Sequence, residues 1–271
     1  DFSCFISDLP TDLQGPAKIQ CFPLYLYDNG AKDIGADSPQ TGLFDTSELV
    51  EPCFKRRDAL TDEGLAHFQA AYIGEVISKE DVFYYIYGLL HSEEYRDRYA
   101  DNLSKELPRI PHVQTATDFW AFSKAGRALA DLHLNYETVA MYPATIIGGG
   151  TDDDYRVEKM KYGAKKDLTT LHYNSKITVK DIPLEAYEYV VNGKPALDWV
   201  VERQCVKTDK ASGIVNDAND WAIDTMHNPK YPLELFLRVI TVSLETMKIV
   251  RALPSLKLLK VKLAEELTSA E

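Results

Sequence analysis

Tyr155-Arg-Val-Glu-Lys-Met-Lys-Tyr-Gly-Ala-Lys-Lys-Asp-Leu-Thr-Thr-Leu-His-Tyr-Asn-Ser-Lys-Ile-Thr-Val-Lys-Asp-Ile182 departs from the helical pattern of the sequence around it. It alternates with period two in places, as in Thr170-Leu171-His172-Tyr173 and Lys176-Ile177-Thr178-Val179, the pattern of half-buried strands. Gly163 and Asn174-Ser175 interrupt it, so it predicts short strands joined by tight turns. On either side the period is helical. Thr61 to Tyr72 predicts a helix weakened by Gly64. Ser78-Lys-Glu-Asp81 has the form of a capping box, and Val82, Ile86 and Leu89 follow it at helical spacing, then Leu90 and Tyr95. Pro108 and Pro111 break that pattern. A helix from about Asp118 to Tyr136 carries Phe119, Phe122, Leu129 and Leu132 as its apolar stripe. Further helices are predicted at Pro183 to Val191, Lys194 to Gln204 and Leu233 to about Leu253. The last of these places Phe236, Ile240, Met247 and Val250 on one face. The sum is an α+β chain, with helices around a small, mostly antiparallel β region.

Ile19 to Tyr27 reads as a buried strand, with Pro23 marking an edge or a strand start. Asp28 to Gly42 is rich in Asp, Gly and Ser-Pro and reads as a loop. A boundary near residue 50 therefore separates residues 1–50, a strand plus linker, from residues 51–255. The larger part divides into a helical region 51–140, a β-rich region 141–182 and a helical region 183–255. Residues 256–271 are charged and expected to fray. A length of 271 residues suits one large domain or two modest ones. No run approaches the ~20 apolar residues that span a bilayer, and no basic region precedes an apolar run as in a signal peptide. The first residue is Asp1 rather than Met, which reads as a processed or excised chain. Cys4, Cys21, Cys53 and Cys205 form no CxxC pair, and scattered single cysteines suit a reducing cytoplasm.

The net charge of −12 argues against a nucleic-acid binder unless the charge is segregated. It is uneven. Residues 1–54 hold nine acids and two lysines, whereas residues 155–180 hold seven Lys/Arg against Glu158 and Asp167. Catalytic signatures are scarce. Gly148-Gly149-Gly150 precedes Thr151-Asp-Asp-Asp154 rather than a helix start, so it reads as a loop and not as a phosphate cradle. Asp152, Asp153 and Asp154 have the oxygen chemistry for a divalent metal. Glu158-Lys159 is spaced one residue too close for a nuclease Glu-x-Lys, so a solvated acidic turn is the reading. The six histidines show no HExxH spacing, and no GxSxG elbow occurs. No catalytic residue and no metal ligand is assigned.

Binding candidates fall in two segments. Lys159 and Lys161 would share a strand face if that segment is extended, with Lys165 and Lys166 in the adjoining turn and Tyr173 further along. The plainer reading is a solvated strand face balanced by acids elsewhere. In Lys207-Thr-Asp-Lys-Ala-Ser-Gly-Ile-Val-Asn-Asp217, the donors Lys207, Lys210, Ser212 and Asn216 suit a phosphate backbone, while Asp209 and Asp217 weaken the field. A structural turn is the alternative there. Arg109 and Lys55-Arg56-Arg57 are weaker candidates that read equally as surface charge. Phe83, Tyr84, Tyr85 and Tyr87 read as packing, because helical spacing cannot turn every ring toward one ligand.

Several segments together resemble a known family. They are Phe83-Tyr-Tyr-Ile-Tyr-Gly-Leu-Leu-His-Ser-Glu-Glu-Tyr-Arg-Asp-Arg-Tyr99, Leu107-Pro-Arg-Ile-Pro111, Phe119-Trp120 through Leu132-His-Leu-Asn-Tyr136, and Tyr155-Arg-Val-Glu-Lys-Met-Lys161. Tyr187-Glu-Tyr-Val-Val-Asn-Gly-Lys-Pro-Ala-Leu-Asp-Trp199, Val206 to Asp217 and Leu237 to Met247 continue the pattern. Over roughly residues 20–255 the chain resembles the C-terminal specificity (target-recognition) region of type ISP restriction-modification enzymes. In that family one polypeptide joins a nuclease, a helicase-like translocase, an adenine-N6 DNA methyltransferase and a target-recognition domain. The family's Asn-Pro-Pro-Tyr motif and S-adenosylmethionine loop are not in this chain, nor are nuclease or helicase motifs. The resemblance therefore implies the recognition part, with residues 1–27 as the tail of a methyltransferase fold. It implies sequence-specific binding of duplex DNA through the major groove, which would position the attached methyltransferase and license the restriction machinery. The methyltransferase and helicase/nuclease domains would be its partners, in the cytoplasm, with no membrane. S-adenosylmethionine, ATP and Mg would belong to the parent enzyme, with no cofactor in this chain. The alternative is an acidic protein-docking or structural module of the same enzyme, with little DNA contact of its own.

Overall fold

The computed structural model describes residues 2–9, 20–29 and 54–259. Two compact units divide the chain, one of Pro10–Phe83 and one of Asp1–Leu9 with Tyr84–Glu271.

In the first unit, β1 (Tyr25–Asn29) pairs antiparallel with β2 (Phe54–Asp58), Tyr25 lying opposite Asp58. The pairing spans the boundary expected near residue 50. The expected buried strand is shorter and more open: Cys21, Phe22 and Pro23 precede it exposed, and Tyr27 is exposed too. β2 is the Lys55-Arg56-Arg57 segment, and the Arg56 guanidinium lies 4.2 Å from the Tyr25 ring centre. α1 (Asp62–Ala71) is capped by Thr61, whose hydroxyl accepts from Gly64 N at 3.1 Å. α2 (Lys79–His91) opens on a reciprocal cap. Asp81 N donates to Ser78 Oγ at 3.2 Å and Ser78 N donates to Asp81 Oδ2 at 2.9 Å, so aspartate serves where glutamate is usual. Phe68, Tyr72, Ile77 and Val82 are buried.

The second unit takes in the rest of α2 and then α3 (Glu93–Arg98), α4 (Ala100–Leu103) and α5 (Ala116–Leu134). Backbones of α2 and α5 meet at two glycines: a Cβ on Gly126 would stand 1.8 Å from the Tyr84 carbonyl oxygen. The aromatic run on α2 is packing, with Tyr85 buried, stacked on Phe119 at 4.9 Å and donating its hydroxyl to Pro111 O at 2.6 Å.

The β region is a four-stranded antiparallel sheet of β3 (Thr145–Ile147), β4 (Lys161–Gly163), β5 (Asp167–His172) and β6 (Thr178–Lys180), in the order β3-β6-β5-β4. Asn174 shapes the β5–β6 turn, its Oδ1 accepting from Lys176 N and Ile177 N at 2.8 Å each. After one 3-10 turn at Leu184–Tyr187, the hairpin β7 (Val190–Val191) and β8 (Lys194–Pro195) leads into α6 (Ala196–Arg203). A helix was expected over Pro183 to Val191. It stops after one turn because Asn192 and Gly193, at φ +51° and +72°, adopt the left-handed backbone of a two-residue hairpin loop. A second hairpin follows, β9 (Val206–Thr208) with β10 (Val215–Asp217), then α7 (Ala218–Asp220), a π-helical turn at Trp221–Thr225 and the long α8 (Tyr231–Arg251). The region expected to be helical thus holds two hairpins.

Leu171, Tyr173, Ile177 and Val179 of the sheet region, Leu197 of α6, and Phe236 and Ile240 of α8 share one core. A polar bridge crosses from α2 through α5 to α8: the Tyr87 hydroxyl meets His133 Nδ1 at 2.7 Å, and His133 Nε2 meets Thr246 Oγ1 at 2.9 Å. Residues 256–259 do not fray. Leu256 is buried, and Leu258 bridges Val113. The rest of the expected tail lies outside the described residues.

Candidate nucleic-acid interface

The sheet buries one face, and alternation turns the other outward. Its register lines up Lys161 of β4, His172 of β5, Thr178 of β6 and Ile147 of β3 in one cross-strand row, with Lys180 and Thr145 paired beside it. Lys161, His172, Lys180, Thr145 and Ile147 are exposed and Thr178 is half-buried. None of the six is acidic, in a chain of net charge −12. Among the described residues neither Lys161 nor Lys180 makes an ion pair. His172 Nδ1 lies 3.2 Å from Thr178 Oγ1, which orients the ring within the row.

The β9–β10 hairpin is a second exposed surface. Lys207 lies opposite Asn216, and every residue from Lys207 to Asn216 is exposed. The turn is built on Asp209, whose Oδ1 accepts from Ser212 N at 2.8 Å, Ser212 Oγ at 2.9 Å and Ala211 N at 3.0 Å. Those hydrogen bonds hold the Asp209 carboxyl below the usual carboxylate range. Gly213, at φ +73°, supplies the left-handed residue that closes the loop. At the base, Arg156 Nη2 donates to Asp217 Oδ2 at 2.7 Å. Buried Asn219 also braces the base, accepting from Val157 N at 2.9 Å and donating to Val157 O at 2.8 Å.

The remaining candidates separate. Lys159 is exposed but precedes β4, between buried Val157 and Met160. Exposed Lys159, buried Met160 and exposed Lys161 alternate, but only Lys161 lies within the strand. Lys165 is exposed in the turn after β4 at φ +57°, and Lys166 follows it in that turn. Tyr173 is corrected outright. It is fully buried, and its hydroxyl donates to Tyr155 O at 2.5 Å, so it anchors the core. The Ser212 hydroxyl is engaged within its own turn. Arg109 is exposed and paired with Glu106 at 3.1 Å. The sequence reading missed His172, Thr178 and Ile147 as surface partners of Lys161. Their signal was the same alternation that marked Ile177 and Val179 as core.

Asp154 is structural: it accepts from Lys176 Nζ at 2.5 Å, Thr151 N at 2.9 Å and Gly150 N at 3.0 Å, which hold its carboxyl far below the usual range. Exposed Asp152 and Asp153 line an open cleft of about 590 Å³ with Arg156, Asn219, Ile223, His227 and Pro229. Among the described residues no His, Cys, Asp and Glu cluster is arranged to hold a metal ion. No helix among them is long and apolar enough to cross a membrane.

An α+β core that presents a row of lysine, histidine and threonine across its sheet and a braced hairpin has the build of a recognition domain. The chain belongs to the Type ISP C-terminal specificity domain family, whose model matches residues 1–235. Solved structures agree. A nuclease-deletion mutant of the Type ISP restriction-modification enzyme LlaGI, in complex with a DNA substrate mimic, is 43% identical over 75% of this chain with a TM-score of 0.63. The ATP-dependent Type ISP enzyme LlaBIII, bound to DNA, is 38% identical over 87% of this chain with a TM-score of 0.71. A DrdV–DNA complex is 31% identical over 74% of the chain with a TM-score of 0.63. This chain spans only 14% of the length of the LlaGI and LlaBIII proteins and 20% of DrdV. Comparison with curated proteins found no match.

Proposed function

We propose that this chain is the part of a restriction-modification polypeptide that recognises duplex DNA. The observation that carries this reading is the cross-strand row on the sheet: two lysines, a histidine and two threonines, in a strongly acidic chain. Solvated lysines of this kind displace condensed counterions from the phosphate backbone and set the register of a protein on its site. Lys161 and Lys180 would make the central contacts, with Lys159, Lys165, Lys166, Lys207 and Lys210 at the flanks and Arg109 as an outlying charge. The resident chemistry of the whole enzyme, methyl transfer to adenine N6 and ATP-driven restriction, would belong to the neighbouring domains with their S-adenosylmethionine, ATP and Mg. This chain would choose where that chemistry acts, in the cytoplasm. A second reading, an acidic docking module, draws on the net charge and on Ile73 and Val76, each 92% exposed in the turn after α1.

Titration of duplex DNA at rising salt tests the proposal. Log K against log salt should fall with a slope of about −0.9 per phosphate contact. The double variant Lys161→Ala/Lys180→Ala should flatten it by about two units, and Lys124→Ala, on exposed α5 surface, should not. Absence of binding at low salt would overturn the DNA reading in favour of docking.

A further inference from the structure

We infer that the β9–β10 hairpin is the base-reading element: it enters the major groove and reads an adenine through Asn216 and a thymine methyl through Ile214. The inference rests on the proposed DNA reading and adds which residues carry sequence. Four observations converge on it.

The first is size. A two-stranded antiparallel ribbon is one of the two elements that the major groove, about 12 Å wide, admits. This ribbon is exposed along its whole length from Lys207 to Asn216. The second is rigidity. An isolated two-stranded hairpin is marginal in water, yet this one is tied at both ends. Asp209 gathers three donors at the tip, and the Arg156–Asp217 pair with buried Asn219 holds the base. Rigid placement before contact is what a sequence reader needs, because ordering on binding would subtract from affinity.

The third is chemistry. Ile214, 61% exposed, lies two residues before Asn216 and so on the same face of the ribbon, whereas Val215 turns to the other face. Ile214 offers the apolar contact that suits a thymine C5 methyl. Asn216 makes no side-chain hydrogen bond among the described residues, so its amide keeps a donor and an acceptor for the N7 and N6 edge of adenine. Lys207, directly opposite, adds a cationic donor for a guanine or a phosphate. The fourth is electrostatics. The one carboxylate in the turn, Asp209, is turned into its own loop by three hydrogen bonds rather than held out toward the phosphates.

The test uses the full chain and a pool of duplexes with a randomised core, selected by binding and then sequenced. The wild type should enrich a defined sequence. Asn216→Ala should lose the preference for one adenine, about tenfold or more at that position. Ile214→Ser should lose the preference for a neighbouring thymine. Both variants alter only exposed side chains, and both should keep the wild-type salt slope on a non-specific duplex. The same enriched sequence in wild type and variants overturns the inference, as does a wild type that binds with a steep salt slope but enriches nothing. In both those outcomes the DNA reading stands. Absence of binding to any duplex at low salt is the separate outcome that overturns the DNA reading and this inference with it.

Discussion

Gly126 sets the tightest constraint on any single side chain. A methyl group there would lie 1.8 Å from the Tyr84 carbonyl oxygen and 2.9 Å from Gly88 N, both backbone atoms of a packed helix. Neither can rotate away, so α2 and α5 must separate. Gly126→Ala should destabilise the larger unit by about 1–3 kcal/mol. The check is a lower urea midpoint at unchanged m-value. Asp154 governs a loop rather than a core. Replacing it with alanine releases Gly150 N, Thr151 N and Lys176 Nζ together. Asp154→Ala should therefore speed proteolytic cleavage within residues 148–155 while global unfolding changes little. Equal cleavage rates would show that the loop is held by something else.

At the scale of the element, caps decide where helices begin. Thr115 Oγ1 accepts from Asp118 N at 3.1 Å and donates to Asp118 Oδ2 at 2.8 Å. Thr115→Ala should cost about 1 kcal/mol, read as a shift in urea midpoint; Thr115→Ser should restore most of it. Such signals are why the longer helices were legible. Thr61, the Ser78–Asp81 box and the stripe from Phe119 to Leu132 mark their helices by local chemistry alone. The short β elements were not legible. Strands of two and three residues, as in β7, β8, β9 and β10, are too brief to show a period. The candidate surface was half legible for a related reason. The basic character of residues 155–180 is a property of composition, but its division into faces depends on register. Cross-strand pairing put His172 and Thr178 beside Lys161. Lys159 falls just before the start of β4, and alternation sent Tyr173 into the core.

At the scale of the whole molecule, the interior carries charge logic opposite to that of the surface. No Asp or Glu among the described residues is buried, whereas the larger unit encloses two imidazoles that stay neutral, His91 buried and His133 half-buried. His91 Nδ1 meets Tyr87 O at 2.8 Å, and its Nε2 is buried without a partner. Burial, the largest effect, and the nearby Arg96 push its pKa down to about 3. Burial alone lowers His133 to about 4. In the unfolded chain both titrate near 6.5. Above that pH neither state takes up a proton, and the native state has its full stability. As pH falls from about 6.5 toward 4, the unfolded chain gains up to two protons that the native state refuses. Stability must then fall, with a slope approaching about 2.7 kcal/mol per pH unit. Asp154 and Asp209 act in a lower window. Their folded pKa values are depressed, so their contribution is present above about pH 4 and is lost only as pH drops below it. Trp120, Trp199 and Trp221, the three tryptophans of the chain, all lie in the larger unit. Urea titrations followed by tryptophan fluorescence at pH 7, 6, 5.5 and 5, above the carboxylate range, therefore read the histidine effect in that unit. His91→Leu removes one imidazole, its hydrogen bond to Tyr87 O and its ring contacts with Tyr87 and His133, so it should roughly halve the slope between pH 6 and 5. Equal stability of the wild type at pH 7 and pH 5 would mean that the two imidazoles are charged in the fold.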